Sequence, residues 1–303
     1  MRPRFRLKEE QVAGLLFVSP FILGFLIFSA GPYIASLYLS LTSYDVLNSP
    51  YFIGLDNYKA MLSDERFAKS LLNTLYFVVG HVPTAIAMAL ILALLLNTKV
   101  KGVSLWRTIY YLPQVTPTVA LGVLWLRILS PQNGLLNNIL GGIGIQGPAW
   151  TIDADWVKPS LILIRVFVVG TWMITFLAAL QDVPQELYEA ASIDGANAWQ
   201  RFRNVTLPMI SRVLFFAVIA VTIFSMNVFD IAYFMFPPNV FGGQLGPQDS
   251  ALFYMINLFQ NAFQYFKMGY ASALAWVLFA VTMAITLIQL RLSRYFVYSE
   301  TSR

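Results

Sequence analysis

Residues 71–96 read LLNTLYFVVGHVPTAIAMALILALLL, a run without a single Asp, Glu, Lys or Arg. As an α-helix rising about 1.5 Å per residue, such a run exceeds the roughly 30 Å of hydrocarbon in a bilayer. The pattern repeats outward in both directions, with further apolar blocks at 12–39, 105–129, 161–180, 213–236 and 271–292. Together they predict an all-α, polytopic membrane protein with about six transmembrane helices in a single domain, 1–303. The chain is 58% hydrophobic and only 12% charged. Soluble domains carry about 25% charged residues, so this chain has too little charge to cover a water-facing surface.

The first block holds more residues than one crossing needs, and Pro20 and Gly31-Pro32 interrupt it, so a tilt or kink is expected there. Its basic start resembles a signal peptide. However, the apolar run is longer than a 7–15-residue signal core, and no clear A-x-A site follows, which predicts an uncleaved first span. There are no cysteines, which excludes disulfides and thiolate metal sites. The one histidine, His81, sits two residues before Pro83 and reads as a polar residue at a kinked or water-lined stretch.

Charge fixes an expected orientation. Thirteen Lys and Arg residues fall at the N-terminus (Arg2, Arg4, Arg6, Lys8), the short turn after 96 (Lys99, Lys101, Arg107), the segment 181–212 (Arg201, Arg203, Arg212) and the C-terminus (Arg291, Arg294, Arg303). The three long connections, 40–70, 130–160 and 237–270, hold five: Lys59, Arg66, Lys69, Lys158 and Lys267. By the positive-inside rule both termini and 181–212 are cytoplasmic, and the three long connections lie outside. The net charge of +5 therefore reflects topology and does not indicate nucleic acid.

The cytoplasmic segment reads QDVPQELYEAASIDGANAWQRFRNVTLPMISR. Asp182 and Gln185 stand at capping-box spacing, and Pro184 suits a first helical turn. A short helix is predicted over 185–193. Ala190, Ala191 and Ser192 leave room for another backbone to approach. Asp194-Gly195 signals a turn, and Gly195 can take φ > 0. A second helix from Ala196 or Asn197 sets Trp199, Phe202 and Val205 on one apolar face. An interfacial helix on lipid headgroups explains Trp199 and the arginines. A docking element for a partner protein also explains the small, acidic first helix, whose apolar area is too slight for lipid.

The run Glu189-Ala190-Ala191, then Gly195, then Leu207-Pro208 resembles the EAA loop of ABC importer permeases, with matching spacing. The resemblance extends over nearly the whole chain and is similar to the sugar-permease branch, of maltose-transporter first-permease type. Its carriers are Phe52-x-Gly54-Leu55-Asp56-Asn57-Tyr58, Asn73-Thr74, Leu112-Pro113, Pro117, Trp125, Pro131, Gly134, Leu135, Asn137, Phe229-Asp230 and Gly269-Tyr270-Ala271-Ser272-Ala273. One departure stands at 237–243, where PPNVFGG replaces the family's usual Thr-x-Gly-Gly-Pro. The resemblance implies a type I ABC importer permease fold. It also implies a second homologous permease, two ATP-binding subunits and an extracytoplasmic sugar-binding protein as partners. Glu189, Ala190, Ala191, Asp194, Gly195, Leu207 and Pro208 would couple to the ATPase. Glu189 would pair with a basic group there, and Gly195 would permit the bend.

In the fifth block, SMNVFDIAYF (225–234) sets Asn227, Asp230 and Phe234 at i, i+3 and i+7 on one expected helical face, flanked by Ser225 and Tyr233. These five are the candidate substrate pathway, since amides and carboxylates bond sugar hydroxyls and aromatic faces pack on sugar rings. An intramembrane aspartate normally faces a bundle interior or water. Asp230 also suits a structural cap at the outer interface. Arg165 could pair with an acidic group or snorkel. The chain has no G-x-x-x-x-G-K-[ST], so ATP hydrolysis is expected on partners, and no cofactor is expected in this chain. The alternatives are an ABC permease for a non-sugar solute, or an ion-coupled secondary transporter. The latter predicts mid-membrane acids and inverted halves.

Overall fold

The computed structural model describes residues 9–98 and 102–296. The charges counted at Arg2, Arg4, Arg6, Lys8, Lys99, Lys101 and Arg303 lie outside the described residues. The order is α1 (Glu9–Phe25), α2 (Gly31–Ser40), β1 (Thr42–Ser43), β2 (Tyr51–Phe52), α3 (Asp56–Leu62), α4 (Glu65–Leu96), α5 (Val103–Val115) and α6 (Thr118–Ile128). Then follow α7 (Leu135–Gly142), α8 (Ala154–Val166), α9 (Gly170–Gln181), α10 (Gln185–Ile193), α11 (Ala198–Arg201), α12 (Leu207–Met226), α13 (Asp230–Met235), α14 (Tyr254–Phe259) and α15 (Met268–Phe296). Among the described residues the strands are the two-residue β1 and β2, paired antiparallel with Thr42 opposite Phe52, and an isolated bridge joins Phe241 and Gln244.

Four helical stretches are long and apolar enough to cross a membrane: Val12–Ser40, Glu65–Leu96, Ala198–Met235 and Met268–Arg294. Two more spans arise only as bent pairs. α5 and α6 meet at 102°, and α8 and α9 at 47°. The blocks expected as spans over 105–129 and 161–180 are thus each a pair of helices. Pro117 forces the first bend, because its ring pushes the preceding Thr116 out of the helical region, to φ −75°, ψ 133°. The second bend spans Phe167–Val169, where Val168 N–H donates to Arg165 O at 3.0 Å in place of a bond one residue longer.

The kink expected in the first block is a π-helical turn, Leu26–Ala30, closed by Gly31 N–H to Leu26 O. A second π turn, Phe202–Thr206, joins α11 to α12. Each lies just upstream of a proline, Pro32 or Pro208. A proline ring presses on the carbonyl four residues back, Phe28 or Asn204, and the wider turn gives it room without ending the helix.

The chain forms two compact units: the described residues up to Ser63 with Leu258–Val277, and Asp64–Asn257 with the described residues from Leu278 onward. In the first unit, Asn57 donates its amide to Ser40 O (2.8 Å) and Thr42 O (2.9 Å), and Gly269 N–H donates to Tyr44 O at 3.1 Å. In the second, Ala85, Ala89 and Ala93 form a fully buried stripe on α4 at i, i+4, i+8. It packs with Met173, Phe176 and Leu180 of α9 and with Ile210, Ala217 and Val221 of α12. Small side chains let these backbones close on one another, the usual means of helix association in lipid. At Gly170 an added Cβ would stand 3.0 Å from the Tyr111 backbone, so α9 begins hard against α5.

Candidate functional site

Three helix breaks of the second unit meet at one cavity of about 450 Å³. Gln114 lines it from the last turn before the α5–α6 bend, Val168 and Val169 from the α8–α9 break, and Asn227, Val228 and Phe229 from the gap between α12 and α13. A broken helix leaves backbone groups without intrahelical partners, which membrane proteins tolerate only around protein or a water-filled cavity. Polar side chains gather on the same walls: His81 of α4, Arg165 of α8, Ser225 of α12 and Asp230 of α13. Trp172, Phe77 and Phe229 add aromatic surface.

His81 Nδ1 lies 2.8 Å from Ser225 Oγ. Ser225 Oγ also donates to Val221 O at 2.7 Å. A hydroxyl has one proton, so Ser225 accepts from His81 Nδ1–H and the imidazole Nε2 is left as an acceptor. The ring stacks on Phe77 at 5.1 Å between centroids. Asn227 donates its amide to Ile223 O at 2.8 Å, leaving its amide oxygen outside that bond.

The expected single face over Asn227, Asp230 and Phe234 is corrected. α12 ends at Met226, Phe229 sits at φ −142°, ψ −70°, and Asp230 opens a new helix. Ser225, Asn227 and Asp230 nevertheless converge on the cavity, while Tyr233 and Phe234 are not among its lining residues. Tyr233 stacks on Phe229 at 5.3 Å, and Phe234 lies beside Gly122 of α6. His81, Arg165 and Gln114 were not among the candidates. For the first two the available signal was a polar side chain inside an apolar run.

The segment after α9 folds as two short helices around a tight turn. α10 closes in a Schellman motif: Ala196 N–H donates to Ala191 O (2.9 Å), Gly195 N–H donates to Ser192 O (3.1 Å), and Gly195 stands at φ +76°. α11 opens with a capping box, Gln200 N–H to Asn197 Oδ1 (2.9 Å) and Asn197 N–H to Gln200 Oε1 (2.8 Å). The capping box expected at Asp182 and Gln185 does not form. Asp182 still belongs to the end of α9 at φ −79°, ψ −10°, and Pro184 takes the N-cap position of α10. Tyr188 Oη meets Thr206 Oγ1 at 3.0 Å, and Arg201 donates to Ser192 Oγ at 3.1 Å, which ties the two helices together. Glu189, Ala190, Asp194 and Gly195 are exposed, Ala191, Leu207 and Pro208 partly so. Ile193 and Trp199 present apolar surface beside them, 87% and 66% exposed.

Residues 82–297 match the family model described as "Binding-protein-dependent transport system inner membrane component". The chain belongs to this family of ABC importer permeases. It is 40% identical over 304 residues to the probable ABC transporter permease protein YesP of Bacillus subtilis (strain 168), covering 99% of this chain and 96% of that one. It is 35% identical over 292 residues to the lactose transport system permease protein LacF of Rhizobium radiobacter, covering 93% and 94%. Among solved structures it is similar to a bacterial alginate ABC transporter in complex with an alginate pentasaccharide-bound periplasmic protein. That similarity has a TM-score of 0.75 at 24% identity and covers 95% of this chain and 96% of that one. The permease therefore has the type I ABC importer permease fold and is a multi-pass membrane protein.

Several residues that carried the sequence resemblance now have physical roles in this permease. Asn73 Nδ2 donates to both Asp249 O and Leu252 O at 3.0 Å, and Thr74 Oγ1 accepts Tyr254 N–H at 2.9 Å. Asn137 donates to Pro131 O and Pro148 O, and accepts Trp150 Nε1–H at 2.6 Å. They are clasps that hold connections against helices. The departing stretch at 237–243 forms its own turn, with Gly243 N–H to Pro238 O at 2.8 Å and both Gly242 and Gly243 at positive φ.

Proposed function

We propose that this permease is half of the transmembrane pathway of an ATP-driven importer for a sugar or oligosaccharide. The observation that carries the reading is the convergence of three helix breaks on one cavity lined by Ser225, Asn227 and Asp230, with aromatic surface beside them. Broken helices surround substrate in other transporters because their free backbone groups supply hydrogen bonds inside the membrane. The sugar-transporting relatives support the substrate class. In this reading a second permease completes the path, and an extracytoplasmic binding protein delivers the sugar. ATP is hydrolysed on two partner subunits. The exposed face of α10 around Glu189, Ala190 and Ala191 docks on one of them, with Gly195 setting the bend and Leu207-Pro208 passing the movement into α12. Both termini are then cytoplasmic. The whole reading is tested with the complete transporter in proteoliposomes. ATP- and binding-protein-dependent accumulation of a labelled oligosaccharide is expected, and accumulation driven by an ion gradient without ATP would overturn it.

A further inference from the structure

The cavity has a side niche. A second space of about 90 Å³ shares Gln114, Arg165 and Val168 with it and is otherwise lined by Thr116, Thr118 and apolar residues. Arg165 is the one charged group on the niche wall, and Asp230 lines the larger cavity only. Among the described residues the Arg165 guanidinium makes no hydrogen bond and no ion pair within 4.0 Å, and the acid that acts on it through charge alone is Asp230 of the larger cavity. A cation in the last turn of α8 is favoured by the helix dipole, which accounts for its sign there. It does not account for the guanidinium fronting both spaces with its fork unused. An arginine within a span is costly and marks a pathway or a partner charge. Guanidinium presents paired donors matched to a carboxylate, and the Gln114 amide beside it is a further donor.

We infer that Arg165 makes this permease selective for acidic saccharides, gripping a uronate carboxylate at the niche while the sugar ring lies in the larger cavity. Asp230 and Asn227 then accept from ring hydroxyls, and Trp172 offers a face to the ring. The inference rests on the saccharide-pathway reading above and adds the charge of the substrate to it.

The test uses the complete transporter with its binding protein in proteoliposomes. Uptake is compared for α-1,4-digalacturonate against galabiose, and for β-1,4-diglucuronate against cellobiose, pairs that differ in the carboxylates. Wild type is expected to take up at least one uronate well above its neutral partner. Arg165→Gln is expected to lower that uptake about ten- to a hundredfold, the loss typical of a charged hydrogen bond, and to narrow the preference. Arg165→Lys, which keeps charge without the fork, should retain an intermediate preference. Membrane level and ATPase copurification are measured for each variant. A wild type that prefers the neutral sugars overturns the inference while leaving the sugar-importer reading standing. So does an Arg165→Gln variant that lowers both members of a pair equally. A wild type that accumulates no saccharide overturns both.

Discussion

His81 on α4 and Ser225 on α12 are 144 residues apart in sequence and share a 2.8 Å hydrogen bond on the cavity wall. The bond fixes more than a distance. Because Ser225 spends its proton on Val221 O, the imidazole must donate from Nδ1, and its Nε2 is fixed as an acceptor.

A double-mutant cycle checks this pair. Ser225→Ala leaves His81 Nδ1–H without its acceptor, and His81→Phe keeps the stack on Phe77 but removes the bond. An unmet donor costs about 1–3 kcal/mol. Directly bonded residues are expected to couple by about 0.5–3 kcal/mol, read from thermal unfolding of the purified complex. Additive effects would mean that the pair does not hold α4 to α12.

Orientation is open to direct labelling, since the chain has no cysteine to remove. Asn138→Cys and Gln200→Cys both fall at exposed positions. With 181–212 cytoplasmic, an impermeant maleimide added to intact cells should label position 138, and position 200 only after permeabilisation. The reverse pattern would invert the topology and remove the basis for placing α10 against an ATPase.

Local chemistry made the turn between α10 and α11 legible in the sequence. Asp194-Gly195 encodes a turn, and a Schellman stop forms there; the capping box was expected at Asp182 and Gln185 and forms instead at Asn197 and Gln200. The existence of spans was legible for the same reason, because hydropathy is summed along the chain. The breaks were less so. Pro117 and its neighbour Thr116 bend one pair by 102°, yet Pro83 and Pro159 sit inside helices that continue. A proline's effect depends on whether neighbouring helices accommodate it. The cavity was least legible. Its polar groups come from six helices, α4, α5, α8, α9, α12 and α13, and from Asn227 between the last two, and no short window holds more than three of them.

The buried amide of Asn73 gives a stability prediction. It satisfies two carbonyls, Asp249 O and Leu252 O, and is 6% exposed. Asn73→Ala leaves both without this donor, at about 1–3 kcal/mol for each that stays unmet. Asn73→Asp should be worse, since it sets an anion against them. The expected readout is a lowered unfolding midpoint and faster proteolysis of the 237–253 connection. Asn48→Ala, exposed, should shift the midpoint little. Equal midpoints for the 48 and 73 variants would show that this clasp does not secure the segment.

The turn at Gly195 gives the strongest test of coupling. Gly195 stands at φ +76°, and its N–H donates to Ser192 O at 3.1 Å. Proline can adopt neither feature, because its ring fixes φ near −65° and it has no N–H. Gly195→Pro should therefore abolish the Schellman stop and swing α11 away from α10, with no change in any membrane-spanning segment. Gly195→Ala strains the same φ more mildly, by about 1 kcal/mol, and should give a partial defect. Glu189→Lys leaves the turn intact and reverses one exposed charge on the proposed docking face. The proline and lysine variants should reach the membrane at wild-type levels but lose ATPase copurification, or lose stimulation of hydrolysis by the loaded binding protein. The alanine variant should fall between them and wild type. Retention of full copurification and stimulation by both Gly195→Pro and Glu189→Lys would exclude α10 as the coupling element. The exposed Ile193 and Trp199 would then fit a helix pair resting on lipid headgroups.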